Sequence, residues 1–399
     1  MNTYTKLTRR TLLAATATAG AAVAASRVGL AAPDTTKAPT LAANGESWSF
    51  VLLGDLHFDR LAHHDREWVA REKPNDWRQI ENYSRITAEV HPLLLAEVKK
   101  TVEERAKTAA PVRFVLQVGD IVEGLCGTPE LANLQAREAI QWIQEANLGA
   151  PFLFCKGNHD VTGPGSVEAY QQVFLPFLGE QLRRLAPQSA TPAQAFFAME
   201  SGDSLFAFFD AYDTASLEWL ETTLAQSKAR RKFVLIHPPV VPYGARSTWH
   251  IYSRAREAEQ RARLLKVLGA HKALVLGGHI HRHNVISRRT GQNEDGFVQL
   301  ALSSILDKPN EKPRTQLEGV EAYTPDQISV EPNFSPDTEA ERRASLAAEA
   351  PSITHFEYAD APGYAVITIG RESVKAQLFS GIGQNEWKTR DLIALSTKA

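Results

Sequence analysis

Five short apolar runs each end on a residue able to bind a metal, and that repeated ending constrains the fold more than any other feature of the chain. Residues 49–53 lead into Gly54-Asp55, and 112–118 into Gly119-Asp120. Residues 152–155 stop before Gly157-Asn158-His159-Asp160, 233–236 before His237, and 273–276 before Gly277-Gly278-His279-Ile280-His281. Apolar runs of this length, closed by glycine or a polar residue, read as strands buried on both faces. Between them, residues 82–107, 129–147, 216–228 and 254–268 carry helical patterns; Leu217, Leu220 and Leu224 form a core stripe in the third. Alternation of the two patterns predicts a layered α/β fold, with further strands at 205–209, 297–302, 363–369 and 374–379. In such sheets ligands bind beyond the carboxyl ends of the strands, where this chain places its Asp, Asn and His residues.

The candidate ligands are Asp55, His57, Asp120, Asn158, His237, His279 and His281, a mixed oxygen and imidazole set without thiolate. Seven donors exceed the needs of one ion and suit two ions sharing a carboxylate. Imidazole together with carboxylate points to Fe, Mn or Zn, divalent or trivalent, rather than to Mg or Ca. The balance of 44 Lys+Arg against 46 Asp+Glu provides no strong field for a phosphate backbone, so nucleic acid is a disfavoured partner. Cys126 and Cys155 are the two cysteines and read as small buried thiols rather than a disulfide framework.

Taken together, Asp55-x-His57, Gly119-Asp120-x-x-Glu123, Gly157-Asn158-His159-Asp160, the lone His237 and Gly278-His279-x-His281 resemble the calcineurin-like metallophosphoesterase superfamily, with all five motifs in family order. The resemblance implies a four-layered αββα sandwich with a dimetal site at the carboxyl ends of the strands. It implies one metal on Asp55, His57 and His281, the other on Asn158, His237 and His279, and Asp120 bridging them. It further implies hydrolysis of a phosphomonoester or phosphodiester by a metal-bridging hydroxide. His159 would then protonate the leaving group, and Asp160 would orient His159. Glu123 matches an acidic position of the family and takes a supporting hydrogen-bonding role; purple acid phosphatases have Tyr there, so no charge-transfer colour is expected. The alternatives are a nuclease on the same scaffold, which needs a basic groove, and an inactive metal-binding scaffold module. The intact ligands and His159 weigh against the second.

Residues 1–31 hold Lys6, Arg9, Arg10 and Arg27 and no acid, leaving 40 basic against 46 acidic residues in the remainder. Thr8-Arg9-Arg10 before an Ala-rich apolar stretch, followed by small residues near Ala31, resembles a twin-arginine export signal. The expected organisation is a signal peptide over 1–31, a linker over 32–47 and one metallophosphoesterase domain over 48–399, delivered to the periplasm or outside by the twin-arginine machinery. No run reaches membrane-spanning length. Residues 60–83 and 307–350 read as insertions or surface excursions. Arg246, in an aromatic cluster with Tyr243, Trp249, His250 and Tyr252, is the candidate contact for a non-reacting phosphate oxygen of a small-molecule or headgroup phosphoester.

Overall fold

Apolar runs without polar alternation predict strands covered on both faces, and the computed structural model shows two sheets stacked between helices. It describes residues 40–41, 47–243, 250–291, 295–325, 336–383 and 385–396. In chain order the strands are β1 Thr40–Leu41, β2 Trp48–Leu53, β3 Val112–Gln117, β4 Phe152–Phe154, β5 Phe197–Ser201, β6 Ser204–Phe208, β7 Arg231–Leu235 and β8 Leu274–Gly277. They continue with β9 His283–Arg289, β10 Gly296–Ala301, β11 Gln316–Glu318, β12 Ile353–Ala359, β13 Gly363–Ile369, β14 Val374–Ser380 and β15 Asn385–Asp391.

One sheet runs β15-β14-β13-β2-β3-β4 and the other β1-β5-β6-β7-β8-β10-β9-β12-β11. The strands that lead into the motifs pair in parallel, with Leu52 opposite Leu116, Leu116 opposite Leu153, and Val234 opposite Val275. Parallel pairing brings all their carboxyl ends to one edge of each sheet. Aromatic side chains join the sheets: Phe50 on β2 stacks on Phe114 at 5.6 Å and meets Phe206 and Phe233 of the other sheet edge-on at 5.5 and 5.7 Å. At the motif end, Gly54 donates to Ser304 Oγ and Ser304 N to Asp55 O, which fastens one sheet to the other.

Helices cover the outer faces. His91–Arg105 buries Leu94, Leu95 and Val98, and Pro129–Ala146 buries Ala136, Ala139 and Ile143, both in the core that includes the six-stranded sheet. On the other side, Leu217, Leu220 and Leu224 of Ser216–Gln226 and Leu264 and Leu268 of Ala258–Ala270 pack in a second core with Val234 and Val275. The layers are those of the expected αββα sandwich.

The single helix expected over 82–107 is two helices, Trp77–Glu89 and His91–Arg105, separated at Val90. Pro92 explains the break: it has no N–H to donate back to residue 88, and its ring crowds the preceding turn. Residues 307–350 contain β11 and the helix Pro336–Glu349. Glu349 bridges Arg261 and Arg288, and the buried Tyr323 hydroxyl donates to the carbonyl of Pro242, so this polar segment is pinned to the loop after His237.

Candidate metal centre

Each ligand candidate leaves its strand through a sharp turn. His57, Asp120, His279 and His281 all adopt positive φ, at 46°, 57°, 72° and 59°. Left-handed backbone at non-glycine residues costs about 1 kcal/mol or more apiece, and it gathers here because it turns side chains out over the sheet edge. Gly278 lets the last turn pass close to the first: a Cβ there would lie 2.6 Å from Asp55 Oδ2.

Two triads result. Asp55, His57 and His281 each present one ligand atom within 4.8 Å of the others, as do Asp120, His237 and His279. His57 Nε2 faces His281 Nε2 across 3.3 Å, and His237 Nε2 faces His279 Nδ1 across 3.3 Å and Asn158 Oδ1 across 3.2 Å. Asp120 lies between the two halves, its Oδ2 being 3.5 Å from His57 Nε2 and 3.0 Å from His237 Nε2. All seven residues named from the sequence therefore meet in one place.

The donor set fits two cations. His57 Nδ1 lies 2.6 Å from the Glu123 carboxylate, and His237 Nδ1 lies 2.8 Å from the carbonyl of Val118. Holding Nδ1–H in this way turns the Nε2 lone pair of each ring inward, the arrangement of a ligating histidine with its outer partner. Burial pushes the Asp55 carboxyl up to about 6, partly offset by His237 and with Asp120 adding to the rise. Although burial opposes it, the charges of His237 and His159 hold Asp120 well below the usual carboxylate range. Against burial, Asp120 in turn raises His237 to about 9. The proton on that imidazole is the one a cation would displace.

A calcineurin-like phosphoesterase family model matches residues 49–283. The chain belongs to that family. The clustered His and Asp residues of the two triads are of a kind that could hold metal ions. Similar solved structures include a purple acid phosphatase from yellow lupin (Lupinus luteus) seeds, 11% identical with a TM-score of 0.48, the match covering 87% of this chain and 54% of that one. The chain thus spans about half the length of the lupin protein. A dimetal phosphatase from Danio rerio is 13% identical with a TM-score of 0.47, covering 86% of this chain and 99% of that one. No curated protein matches the chain.

Beside the two triads of this phosphoesterase lies a third group, His57, Glu123 and His159. His159 Nδ1 is 2.7 Å from the carbonyl and 3.2 Å from Oε2 of Glu123. Burial lowers the His159 pKa, but Glu123 and Asp120 together raise it to about 10. Here the structure departs from the sequence expectation for Asp160. Its carboxylate accepts four backbone N–H bonds, from Asp120 at 3.0 Å, Ile121 at 2.8 Å, Val122 at 3.2 Å and Gly157 at 2.8 Å. Asp160 therefore braces the Asp120 and Gly157 turns against each other, and the residue that orients His159 is Glu123, its carbonyl accepting from Nδ1 and its carboxylate supplying a nearby charge.

Arg246 lies outside the described residues. Cys126 and Cys155 are free and buried, and burial pushes both thiols up. His63 and His64 face Glu138 and Asp59 rather than the centre. Sequence reasoning assigned no role to Gln79 or Tyr83, which fall in the 60–83 segment read as an insertion or surface excursion. Yet Gln79 Nε2 donates to Glu123 Oε1 at 2.9 Å, and Tyr83 stacks on His57 with centroids 4.4 Å apart. Their i, i+4 spacing was the available signal.

Proposed function

We propose that this phosphoesterase hydrolyses a phosphomonoester or phosphodiester at a dinuclear site, with Asp55, His57 and His281 holding one cation, Asn158, His237 and His279 the other, and Asp120 shared. The observation that best supports this reading is the position of Asp120 Oδ2, facing imidazoles of both triads at 3.5 and 3.0 Å. When bound, two cations of the Fe, Mn or Zn type supply Lewis-acid activation of water and neutralise the phosphoryl oxygens. The chain's own residues do the rest. The Glu123 carbonyl accepts from His159 Nδ1, leaving Nε2 to give a proton to the ester oxygen as the P–O bond breaks. Side-chain exposure of 20% at His159 keeps it within reach of a substrate, whereas Asp55, His57, Asp120 and His237 are almost wholly buried.

A nuclease groove gains no support from the basic cluster at 228–232. Arg230 pairs with Glu372, Arg231 with Asp203 and the carbonyls of Gly370 and Arg371, and Lys232 with the carbonyl of Ala229. Residues 1–31 belong to the same proposal as a twin-arginine leader that delivers the enzyme to the periplasm. Replacing Arg9 and Arg10 together with Lys should retain the protein in the cytoplasmic fraction, and unchanged fractionation refutes the leader.

The test of activity is the ratio of Mn-supported hydrolysis rates for bis-p-nitrophenyl phosphate and p-nitrophenyl phosphate, with Asp120→Ala as control. A ratio well above one assigns the enzyme to diesters, and one well below to monoesters. Equal rates in wild type and Asp120→Ala would overturn the dinuclear reading.

A further inference from the structure

Sixty-three positions separate His57 from Asp120, and they include the helix Trp77–Glu89, which lies against the metal centre. Its register is fixed from below: Ser84 Oγ donates to the buried Asp59 carboxylate at 2.9 Å, and Thr87 Oγ1 accepts from Asp59 N at 3.0 Å. With that end anchored, Tyr83 covers the ring face of His57, and Gln79, one turn earlier on the same side, reaches Glu123.

Glu123 is fully buried, and its two oxygens have different work. Oε2 accepts from His57 Nδ1 at 2.6 Å and lies 3.2 Å from His159 Nδ1, whose own hydrogen bond goes to the Glu123 carbonyl at 2.7 Å, while Oε1 accepts from Gln79 Nε2 at 2.9 Å. A carboxylate rotates easily about its last bond, a broad and nearly two-fold torsion. A donor on Oε1 stops that rotation and keeps Oε2 between the two imidazoles. Resting on the reading of His159 as the leaving-group acid, we propose that Gln79 is a positioning residue for the reaction. It acts through the Glu123 carboxylate, which fixes the ligand ring of His57 and keeps a negative charge beside the proton-donating ring of His159. The segment between the first two motifs is thus part of the machinery as well as a covering for it.

The test uses the full-length, metal-loaded enzyme and two esters of the class it prefers, one with a p-nitrophenyl and one with an ethyl leaving group. Protonation matters little to nitrophenolate and greatly to ethoxide. Gln79→Leu should lower kcat on the ethyl ester by about tenfold, the lower end of the usual loss when an outer partner is removed, with a smaller loss on the p-nitrophenyl ester and little change in KM. Gln79→Glu should be worse, because it sets a second carboxylate against Glu123. His159→Asn provides the reference, since it should show the same dependence on leaving group in stronger form. A merely structural role would instead lower the melting temperature and depress both esters equally, or would rank Gln79→Glu no worse than Gln79→Leu. Any of those results overturns the proposal. If His159→Asn itself loses equally on both esters, the acid reading falls and takes this one with it. If His159→Asn discriminates and Gln79→Leu does not, Gln79 alone is refuted. A wild-type enzyme silent on both esters refutes the phosphoesterase reading instead.

Discussion

Gly157→Ala is the smallest change that should disable the centre. A Cβ at Gly157 would lie 2.1 Å from Asp120 Oδ1 and 2.2 Å from Asp120 N, so the closest contact must open by at least 0.9 Å to reach 3.0 Å. Neither side can yield without loss. Asp120 N is bound to Asp160 Oδ2 at 3.0 Å, and Asp120 Oδ1 accepts from His159 N at 2.8 Å. If the carboxylate swings away, Oδ2 leaves its place between His57 and His237. If the 157–160 turn backs off, it carries Asn158 and His159 with it. A misplacement of about 1 Å in such a site costs on the order of 10²-fold in rate, and the overpacking costs about 1–3 kcal/mol in stability. The assay is Mn-supported hydrolysis of p-nitrophenyl esters, read beside metal content per chain and the melting temperature. Gly291→Ala is the matched control, because a Cβ there meets nothing within 4 Å. If Gly157→Ala keeps the wild-type rate and metal content, Asp120 is not held where the geometry places it, and the reasoning fails.

Glu349→Ala leaves the guanidinium groups of Arg261 and Arg288 without their shared carboxylate, and should cost about 3–5 kcal/mol in urea unfolding; an unchanged midpoint counts against the buried triad. Burial pushes the imidazoles of His91 and His283 down to about 3, against about 6.5 in an unfolded chain. Their folded pKa values are depressed, so their contribution is complete above pH 6.5. It is lost as pH falls towards 3, by up to about 1.4 kcal/mol per pH unit for each ring. His91→Phe should flatten the slope of stability against pH between 6.5 and 4.5 by one ring's share, and an unaltered slope contradicts this. Chelation should abolish hydrolysis and lower the melting temperature. Mn at about 100 times its dissociation constant should restore about 2.7 kcal/mol, and a melting temperature indifferent to Mn would refute the centre. The buried thiols of Cys126 and Cys155 should resist alkylation until the protein unfolds, so fast labelling of native protein would show that they open.

The positions of the candidate ligands were legible because each lies at or just beyond a strand end. Burial on both faces makes β2, β4 and β8 and the later residues of β3 and β7 apolar runs, and the polar residue that closes each run is conspicuous against them. The same rule hides strands that lack such burial. In β15, Asn-Glu-Trp-Lys-Thr-Arg-Asp, every residue is half-buried or exposed, so nothing in its composition separates it from a loop. Groups that orient the ligands escape for a different reason. Asp160 adjoins His159 in sequence and so looked like its partner, but adjacent side chains leave a short turn in different directions, and the Asp160 carboxylate ends among backbone N–H groups. Glu123 stands 36 positions away and reaches the ring. Gln79 and Tyr83 are further removed still, on a helix whose register depends on Ser84 and Thr87 meeting Asp59. A metal ligand is confined to a few sites by the sheet. An orienting group can come from any element that passes within hydrogen-bond reach, so its identity is decided by packing, which the order of residues along the chain does not display.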